Sequence, residues 1–162
     1  MLNVERIADT AGFAGLRQEW TELHESMQER SLFLTWEWMH TWWKHFSSGR
    51  TLCIVTVRQD GKLIAIAPLV TRPRDLRRLQ PFRSLEFLAS GDVGSDYMSM
   101  LIREGFESES LRCIAEHLSR ENMVLDLSRF DCKNLQMSSF IRRLQETAWD
   151  STKTTSEVCP YI

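Results

Sequence analysis

Residues 52–70 read LCIVTVRQDGKLIAIAPLV, and this stretch decides the fold. Two runs of β-branched and other apolar residues, 52–57 and 63–70, stand on either side of Asp60-Gly61. An Asp-Gly pair suits a type I′ turn, in which both central residues have positive φ, so the stretch predicts a β-hairpin. Pro68 cannot donate a hydrogen bond to a neighbouring strand, which predicts an edge or a bulge at the end of the second strand.

Two helices are predicted before the hairpin, after a first strand over residues 2–8. The first helix begins at Asp9 or Thr10, and its apolar residues recur at spacings of three and four: Phe13, Leu16, Trp20, Leu23 and Met27. That spacing follows the helical period and places them on one buried face. The second helix covers residues 35–46. Its buried face is predicted to consist of Trp36, Met39, Trp43 and Phe46, with Trp38 and Trp42 to the side.

Helices and strands alternate after the hairpin. Residues 72–83 form a basic connection, and residues 84–89 and 97–102 are predicted to be strand segments joined by a loop. The elements predicted beyond them are a helix over 108–120, a strand over 123–127, a helix over 135–149 and a last strand over 152–159. The element order β α α β β β α β α β predicts an α/β fold, with a mixed sheet covered by helices on both faces.

The composition indicates one folded domain, residues 1–162, without a strongly charged partner. Hydrophobic residues make up 43% and charged residues 26%, as in globular proteins, and the net charge is −2. Nucleic acid is therefore not an expected partner. The N-terminus lacks a basic region followed by an apolar run, and no stretch approaches the ~18 apolar residues of a membrane helix. These patterns predict a cytoplasmic protein without a membrane span.

Motifs for metal or nucleophile chemistry do not occur in the sequence. His40 and His45 are five residues apart, whereas the HExxH motif needs a spacing of four. The four cysteines include no CxxC pair, so no metal site is expected. Neither the GxSxG nucleophile elbow nor a GxGxxG phosphate loop is found.

The basic connection is a candidate for contact with an anion. It contains five arginines and one acid, and we name Arg74, Arg77 and Arg78 as the contact candidates. The alternative is a solvated loop between strands. Phe82 is the one aromatic residue in the stretch, so a stacking platform for nucleic acid is not indicated.

Two further features could form a groove for a substrate. Four tryptophans within eight residues indicate either a core helix covered on two sides or a helix that lines a groove, with Trp38 and Trp42 as the groove residues. Asp96 and Tyr97 put a carboxylate beside a phenol at a predicted strand start, which could position an amine or a hydroxyl group. The alternative for this pair is a hydrogen-bonded loop.

Several segments together resemble the N-terminal half of the CelD-like proteins, members of the GNAT superfamily of N-acetyltransferases. The segments are F-x-x-L-x-x-x-W-x-x-L at 13–23, FLTWEW at 33–38 followed by Trp42-Trp43, DGKLIAIAPL at 60–69, LEFL at 85–88 and Asp96-Tyr97. The resemblance covers nearly the whole chain. It implies a relation to the Fem-type peptidyltransferases and a GNAT-like fold without its last strand. It also implies acyl transfer from acyl-CoA to an amine, in cellulose, exopolysaccharide or other cell-envelope synthesis.

The same resemblance implies where coenzyme A would bind. In the GNAT superfamily a Q/R-x-x-G-x-G/A loop after the fourth strand holds the coenzyme A pyrophosphate on backbone amides at a helix N-terminus. The corresponding residues 102–108 read IREGFES. Arg103 is followed by Gly105 two positions on instead of three, the second glycine is missing, and Glu104 and Glu107 add negative charge. We therefore expect no acyl-CoA cofactor for this chain alone.

CelD-like proteins usually contain a second module, which is the acetyltransferase. The resemblance therefore implies a degenerate N-terminal module, truncated before a second acetyltransferase module that would be its partner in cis. A missing final strand would expose a sheet edge and favour self-association. Two alternatives stay open. One is a self-sufficient small acetyltransferase, and the other is an interaction module that binds a protein or a polyanion through the Trp-rich helix or the Arg72–Arg83 loop.

Overall fold

A computed structural model describes residues 1–72, 83–91, 93, 95–121, 123–131, 133–147 and 149–152. The strands within it are β1 (Leu2–Ile7), β2 (Leu52–Gln59), β3 (Lys62–Thr71), β4 (Arg83–Phe87), β5 (Leu101–Ile102) and β6 (Met123–Leu125). The helices are α1 (Thr10–Gly15), α2 (Arg17–Glu25), α3 (Trp36–Phe46), α4 (Glu107–Leu118) and α5 (Leu135–Glu146). One turn of 3-10 helix covers Leu32–Leu34. None of the described helices is both long enough and apolar enough to cross a membrane.

All six strands belong to one mixed sheet. The order is β1-β2-β3-β4-β6, and β5 pairs with β3. The pairs are antiparallel except β4 and β6, which run parallel. Because β2 occupies one side of β3, both β4 and β5 lie along its other side, one after the other. The predicted mixed α/β sheet is confirmed.

The hairpin has the turn that its sequence predicts. Asp60 has a φ of 49° and Gly61 a φ of 84°, so both central residues have the left-handed conformation of a type I′ turn. Residues 52–57 and 63–71 are all buried. Successive strand side chains point to opposite faces, so burial at every position means that both faces of the sheet are covered.

Pro68 lies in an interior strand without a bulge, but one side of the strand is locally unpaired at this residue, as at an edge. β3 is paired on both sides, and Pro68 is opposite Ile54 of β2. Its carbonyl accepts a hydrogen bond from the Leu88 amide at 2.8 Å, just where β4 leaves the sheet. The missing N–H of Pro68 therefore faces the gap between β4 and β5, where a strand partner is absent.

Two predicted elements differ from the structure, and a third cannot be compared with it. The single helix predicted from residue 10 is two helices that meet at Leu16, since Gly12 and Gly15 weaken the first one. The strand predicted over 97–102 pairs only at Leu101–Ile102, because Tyr97 has a φ of 55° that a strand does not tolerate. The last predicted strand lies outside the described residues beyond Thr152.

Buried tryptophans tie the N-terminal helices together. The indole N–H of Trp20 donates to the Leu34 carbonyl at 2.9 Å, and that of Trp36 donates to the Phe13 carbonyl at 3.0 Å. Each bond joins segments more than ten residues apart in sequence. A buried indole N–H needs such a partner, so these bonds fix how α1, α2 and α3 pack.

Candidate functional site

Two loops meet beside the gap in the sheet. Residues 88–100 leave the sheet after β4 and return at β5, and residues 126–134 connect β6 to α5. The Met98 amide donates to the Arg129 carbonyl at 2.9 Å, and the Ser99 hydroxyl donates to Gln136 Oε1 of α5 at 2.5 Å. The two loops therefore form one surface, and hydrogen bonds hold it to α5.

Backbone strain concentrates in these two loops. Besides Asp60 of the hairpin turn, the described residues with positive φ that are not glycine are Ala89 at 69°, Tyr97 at 55° and Arg129 at 64°. A left-handed conformation costs a residue with a side chain roughly 1–2 kcal/mol. Such strain persists where the surrounding structure imposes it, and it is typical of binding and catalytic sites.

Trp38 contacts the loop that carries Asp96 and Tyr97, through the residue just before them. The half-buried indole of Trp38 donates its N–H to the Ser95 hydroxyl at 3.0 Å and packs edge-on against Phe33, with 5.2 Å between ring centroids. Asp96 lies 3.8 Å from the Arg129 guanidinium, and Tyr97 is 45% exposed. A carboxylate and a phenol on adjacent residues of one loop offer groups that can accept or donate hydrogen bonds to an amine.

Trp42 is not part of this group. It is 3% exposed, with the Arg50 guanidinium 5.1 Å from its ring centroid and the Phe46 ring at 5.5 Å. Its indole N–H has no hydrogen-bond partner among the described residues. The structure therefore leaves Trp38 half-buried, with its N–H on the buried Ser95, and places Trp42 in the core.

The turn before α4 is anchored to the sheet. The Arg103 amide donates to the Ile64 carbonyl of β3 at 2.8 Å, and the Phe106 amide donates to the Arg103 carbonyl at 3.1 Å. Gly105 has a φ of 84° within this turn, and a methyl group added there would meet nothing within 4 Å. Glycine is thus favoured at this position by its backbone conformation and not by a lack of space.

A cleft adjoins both regions. It has a volume of about 280 Å³ and lies between the first turns of α4 and α5, with Ser108 and Gln136 among its lining residues. Arg143 of α5 donates to the Ser108 hydroxyl of α4 at 3.1 Å, which joins the two helices. It also donates to Glu146 of its own helix at 3.0 Å. One lining residue, Gln136, also accepts a hydrogen bond from Ser99 of the first loop.

No protein-family model matches the sequence, and no curated protein sequence matches it. Solved structures match its fold. Aminoglycoside 6′-N-acetyltransferase AAC(6′)-Ih from Acinetobacter baumannii has a TM-score of 0.54 at 9% identity, over 100% of this chain and 99% of that chain. AAC(6′)-IG from Acinetobacter haemolyticus has a TM-score of 0.52 at 11% identity, over 99% of both chains. Glucosamine-6-phosphate N-acetyltransferase from Arabidopsis thaliana has a TM-score of 0.51 at 11% identity, over 98% of both chains. This chain has the GNAT fold.

The residues at the pyrophosphate position of the GNAT fold do not fit a pyrophosphate. The Gly105 N–H, one of the amides available there, donates to the Glu107 carboxylate at 3.2 Å. Glu107 and Glu109 are both in the first turn of α4, and the exposed Glu104 accepts a hydrogen bond from Gln28 at 2.9 Å. The Nε atom of Arg103 is buried and has no hydrogen-bond partner among the described residues. A pyrophosphate would thus meet three carboxylates, one of them already on the amide.

The sequence reasoning missed a buried ion network next to the two loops. Glu86 of β4 is 4% exposed and accepts from both Arg50 and Arg72, and Arg72 also bonds Asp126 at 2.8 Å. The sequence contains one signal for this network, a single acid inside the apolar stretch 85–88. A buried charge needs a partner, so this acid predicts a nearby cation. Arg74, Arg77 and Arg78 lie outside the described residues.

Histidines and metal ligands do not contribute to the candidate site. His40 stacks on Trp36 with 4.2 Å between ring centroids, and burial lowers its pKa. Burial likewise lowers the pKa of His117, whose Nε2 has no hydrogen-bond partner in the described structure. Across the described ranges, no three His, Cys, Asp or Glu residues form a group that could hold a metal ion.

Proposed function

We propose that this chain is a GNAT-fold module that binds the amine acceptor of an acyl transfer and leaves the acyl-CoA donor to a second GNAT module. The observation that supports this most directly is the strained loop that carries Asp96 and Tyr97 and is bonded to Trp38 through Ser95. The resemblance to CelD-like proteins supports a reaction in polysaccharide or cell-envelope synthesis. The names of two structural neighbours, an aminoglycoside and a glucosamine-6-phosphate N-acetyltransferase, support an amino sugar as the acceptor.

The chemistry explains why these side chains suit an acceptor. An amine attacks an acyl thioester only through its unprotonated lone pair, so a protein group must orient the amine and receive its proton. The partly exposed Asp96 carboxylate can accept N–H bonds from the amine, and the Tyr97 hydroxyl can donate or accept. An aromatic ring such as Trp38 offers an apolar face for the rest of the acceptor.

Acceptor binding can be observed at Trp38 itself. Its indole N–H gives a separate nitrogen–proton NMR signal that reports on the bond to Ser95. We expect glucosamine to shift this signal to saturation, and glucose, which lacks only the amine, to shift it at least fivefold less at equal concentration. Asp96→Asn with Tyr97→Phe weakens glucosamine binding at least fivefold.

The control is Asp150→Asn, which removes the same charge from the segment after α5. It should leave glucosamine binding unchanged. Equal shifts with glucose and glucosamine, or equal losses in the control and the test variant, would contradict acceptor recognition. Turnover of acetyl-CoA and glucosamine by the chain alone would contradict the assignment of the donor to a second module.

A further inference from the structure

We infer that Glu107 excludes coenzyme A from this chain by binding its own carboxylate to the amide that would hold the pyrophosphate. This inference deepens the proposed function and rests on it. The GNAT fold implies an anion site before α4, and the structure fills that position from within the chain.

The turn that bears this amide is held in place from both ends. The Arg103 amide is bonded to the Ile64 carbonyl of β3, and the Phe106 amide closes the turn on the Arg103 carbonyl. The Gly105 N–H therefore has a fixed position, and its acceptor there is Glu107 Oε1 at 3.2 Å. An anion can reach this N–H only if the Glu107 side chain moves away.

Glu107 bonds an amide that lies just before α4, a helix whose N-cap residue makes no side-chain bond. Asp9, Thr35 and Asn134 cap α1, α3 and α5 through their side chains, whereas the N-cap residue of α4 is Phe106, which makes no side-chain bond. A carboxylate in the first turn of a helix is stabilised by the helix dipole and by unpaired amides. The folded chain thus favours the closed arrangement, since opening it removes the described acceptor of the Gly105 amide.

The neighbouring charges act in the same direction. Glu104 lies within the turn and Glu109 within the first turn of α4, and both are exposed. Like charges disfavour a phosphate group at short range, although water and salt weaken exposed pairs. The negative charges alone would therefore reduce the affinity for a phosphate group only modestly. Glu107 differs from Glu109 because its carboxylate also occupies the Gly105 amide.

Two single substitutions separate occupation from charge. Glu107→Ala removes the carboxylate on the Gly105 amide, and Glu109→Ala removes an equal charge from the same helical turn without a described bond to that amide. Binding of coenzyme A and of inorganic pyrophosphate is measured by isothermal titration calorimetry at fixed ionic strength. Circular dichroism melts establish that the variants are folded.

The expected result is weak binding to the unaltered chain, a gain of at least tenfold in affinity for both probes with Glu107→Ala, and a gain below threefold with Glu109→Ala. Equal gains in the two variants would overturn the inference, because charge would then suffice. No gain in a folded Glu107→Ala variant would overturn it as well, while leaving the proposed function intact. Tight coenzyme A binding by the unaltered chain would refute both.

Discussion

Glu86→Gln should destabilise the fold more than any other change of one charged side chain that we consider. Glu86 is 4% exposed and lies between two guanidinium groups, those of Arg50 and Arg72. Glutamine keeps the shape of the side chain and removes only the negative charge. The substitution therefore measures what the buried charge contributes.

The magnitude follows from the burial of each partner. Arg50 has a side chain that is only 10% exposed, so removal of Glu86 leaves a buried cation whose charge is no longer compensated by this carboxylate. Removing one member of a buried pair costs about 3–5 kcal/mol. Arg72 adds less than about 1 kcal/mol, because it is 42% exposed and keeps Asp126. The Trp42 ring still faces Arg50 and retains part of the stabilisation, so we expect about 3 kcal/mol in total.

Urea unfolding monitored by tryptophan fluorescence provides the measurement. The midpoint should shift while the slope stays constant, which identifies a change in stability of one cooperative unit. Asp126→Asn is the matched control, because Asp126 bonds the same Arg72 but is 46% exposed, and it should cost less than about 1 kcal/mol. Equal losses in the two variants would refute the reasoning. The double change of Arg50→Met with Glu86→Leu should recover most of the loss, since both buried charges are then absent.

Three smaller effects follow from single contacts. Burial lowers the pKa of His117 below 6.5, so the folded chain binds this proton less readily than the unfolded chain. The free energy of unfolding is therefore highest, as far as His117 contributes, above pH 6.5, and it decreases at lower pH. His117→Gln should make that decrease less steep in urea titrations between about pH 7 and 5. An unchanged decrease would exclude His117 as its cause. Gly105→Ala should reduce the stability by ~1 kcal/mol in thermal melts, because φ at this residue is 84°. Gly15→Ala should increase the stability by ~0.5 kcal/mol, because Gly15 is helical and an added methyl group meets nothing within 4 Å. A change in the same direction for both variants would contradict this reasoning. Trp38→Phe should cost ~1 kcal/mol through its bond to Ser95, and Ser95→Ala should then add little in a double-mutant cycle.

Local sequence chemistry predicts the parts of this fold that depend on neighbouring residues. The turn at Asp60-Gly61 is specified by two residues and has the expected conformation. The stripe from Phe13 to Leu23 is buried as its spacing predicts, although the helix restarts at Leu16. Periodicity identifies which face of a helix is buried, and it does not determine whether two glycines allow one straight helix.

The candidate site depends on contacts between distant residues, and sequence patterns predict those poorly. Helical spacing treats Trp38 and Trp42 alike, and only the packing of Arg50 and Phe46 against Trp42 separates them. The left-handed conformation of Tyr97 occurs in a loop whose Met98 amide is bonded across the fold to residue 129. Phe46 and Arg50 are close to Trp42 in sequence, yet helical spacing alone does not show that they cover it. The bond between Met98 and Arg129 joins residues too far apart to leave a local signal. Asp96, Tyr97 and Trp38 could thus be named from the sequence, but the bonds that hold this loop could not.

The outer side of β3 explains why both halves of the candidate site occur where they do. The Pro68 carbonyl holds the start of the loop with Asp96 through the Leu88 amide, and the Ile64 carbonyl holds the turn with Gly105 through the Arg103 amide. These two anchor points are four residues apart on one strand, on the same side, which is roughly 13 Å of extended chain. The backbone N–H that proline lacks would face the gap between β4 and β5. Strand β3 can therefore be without a strand partner at Pro68 and leave no buried N–H unpaired. The loop with Asp96, for which we propose an acceptor, and the turn with Gly105 are thus set side by side by the backbone of β3. The two differ in their side chains, since Asp96 and Tyr97 are partly exposed to solvent whereas Glu107 occupies the Gly105 amide.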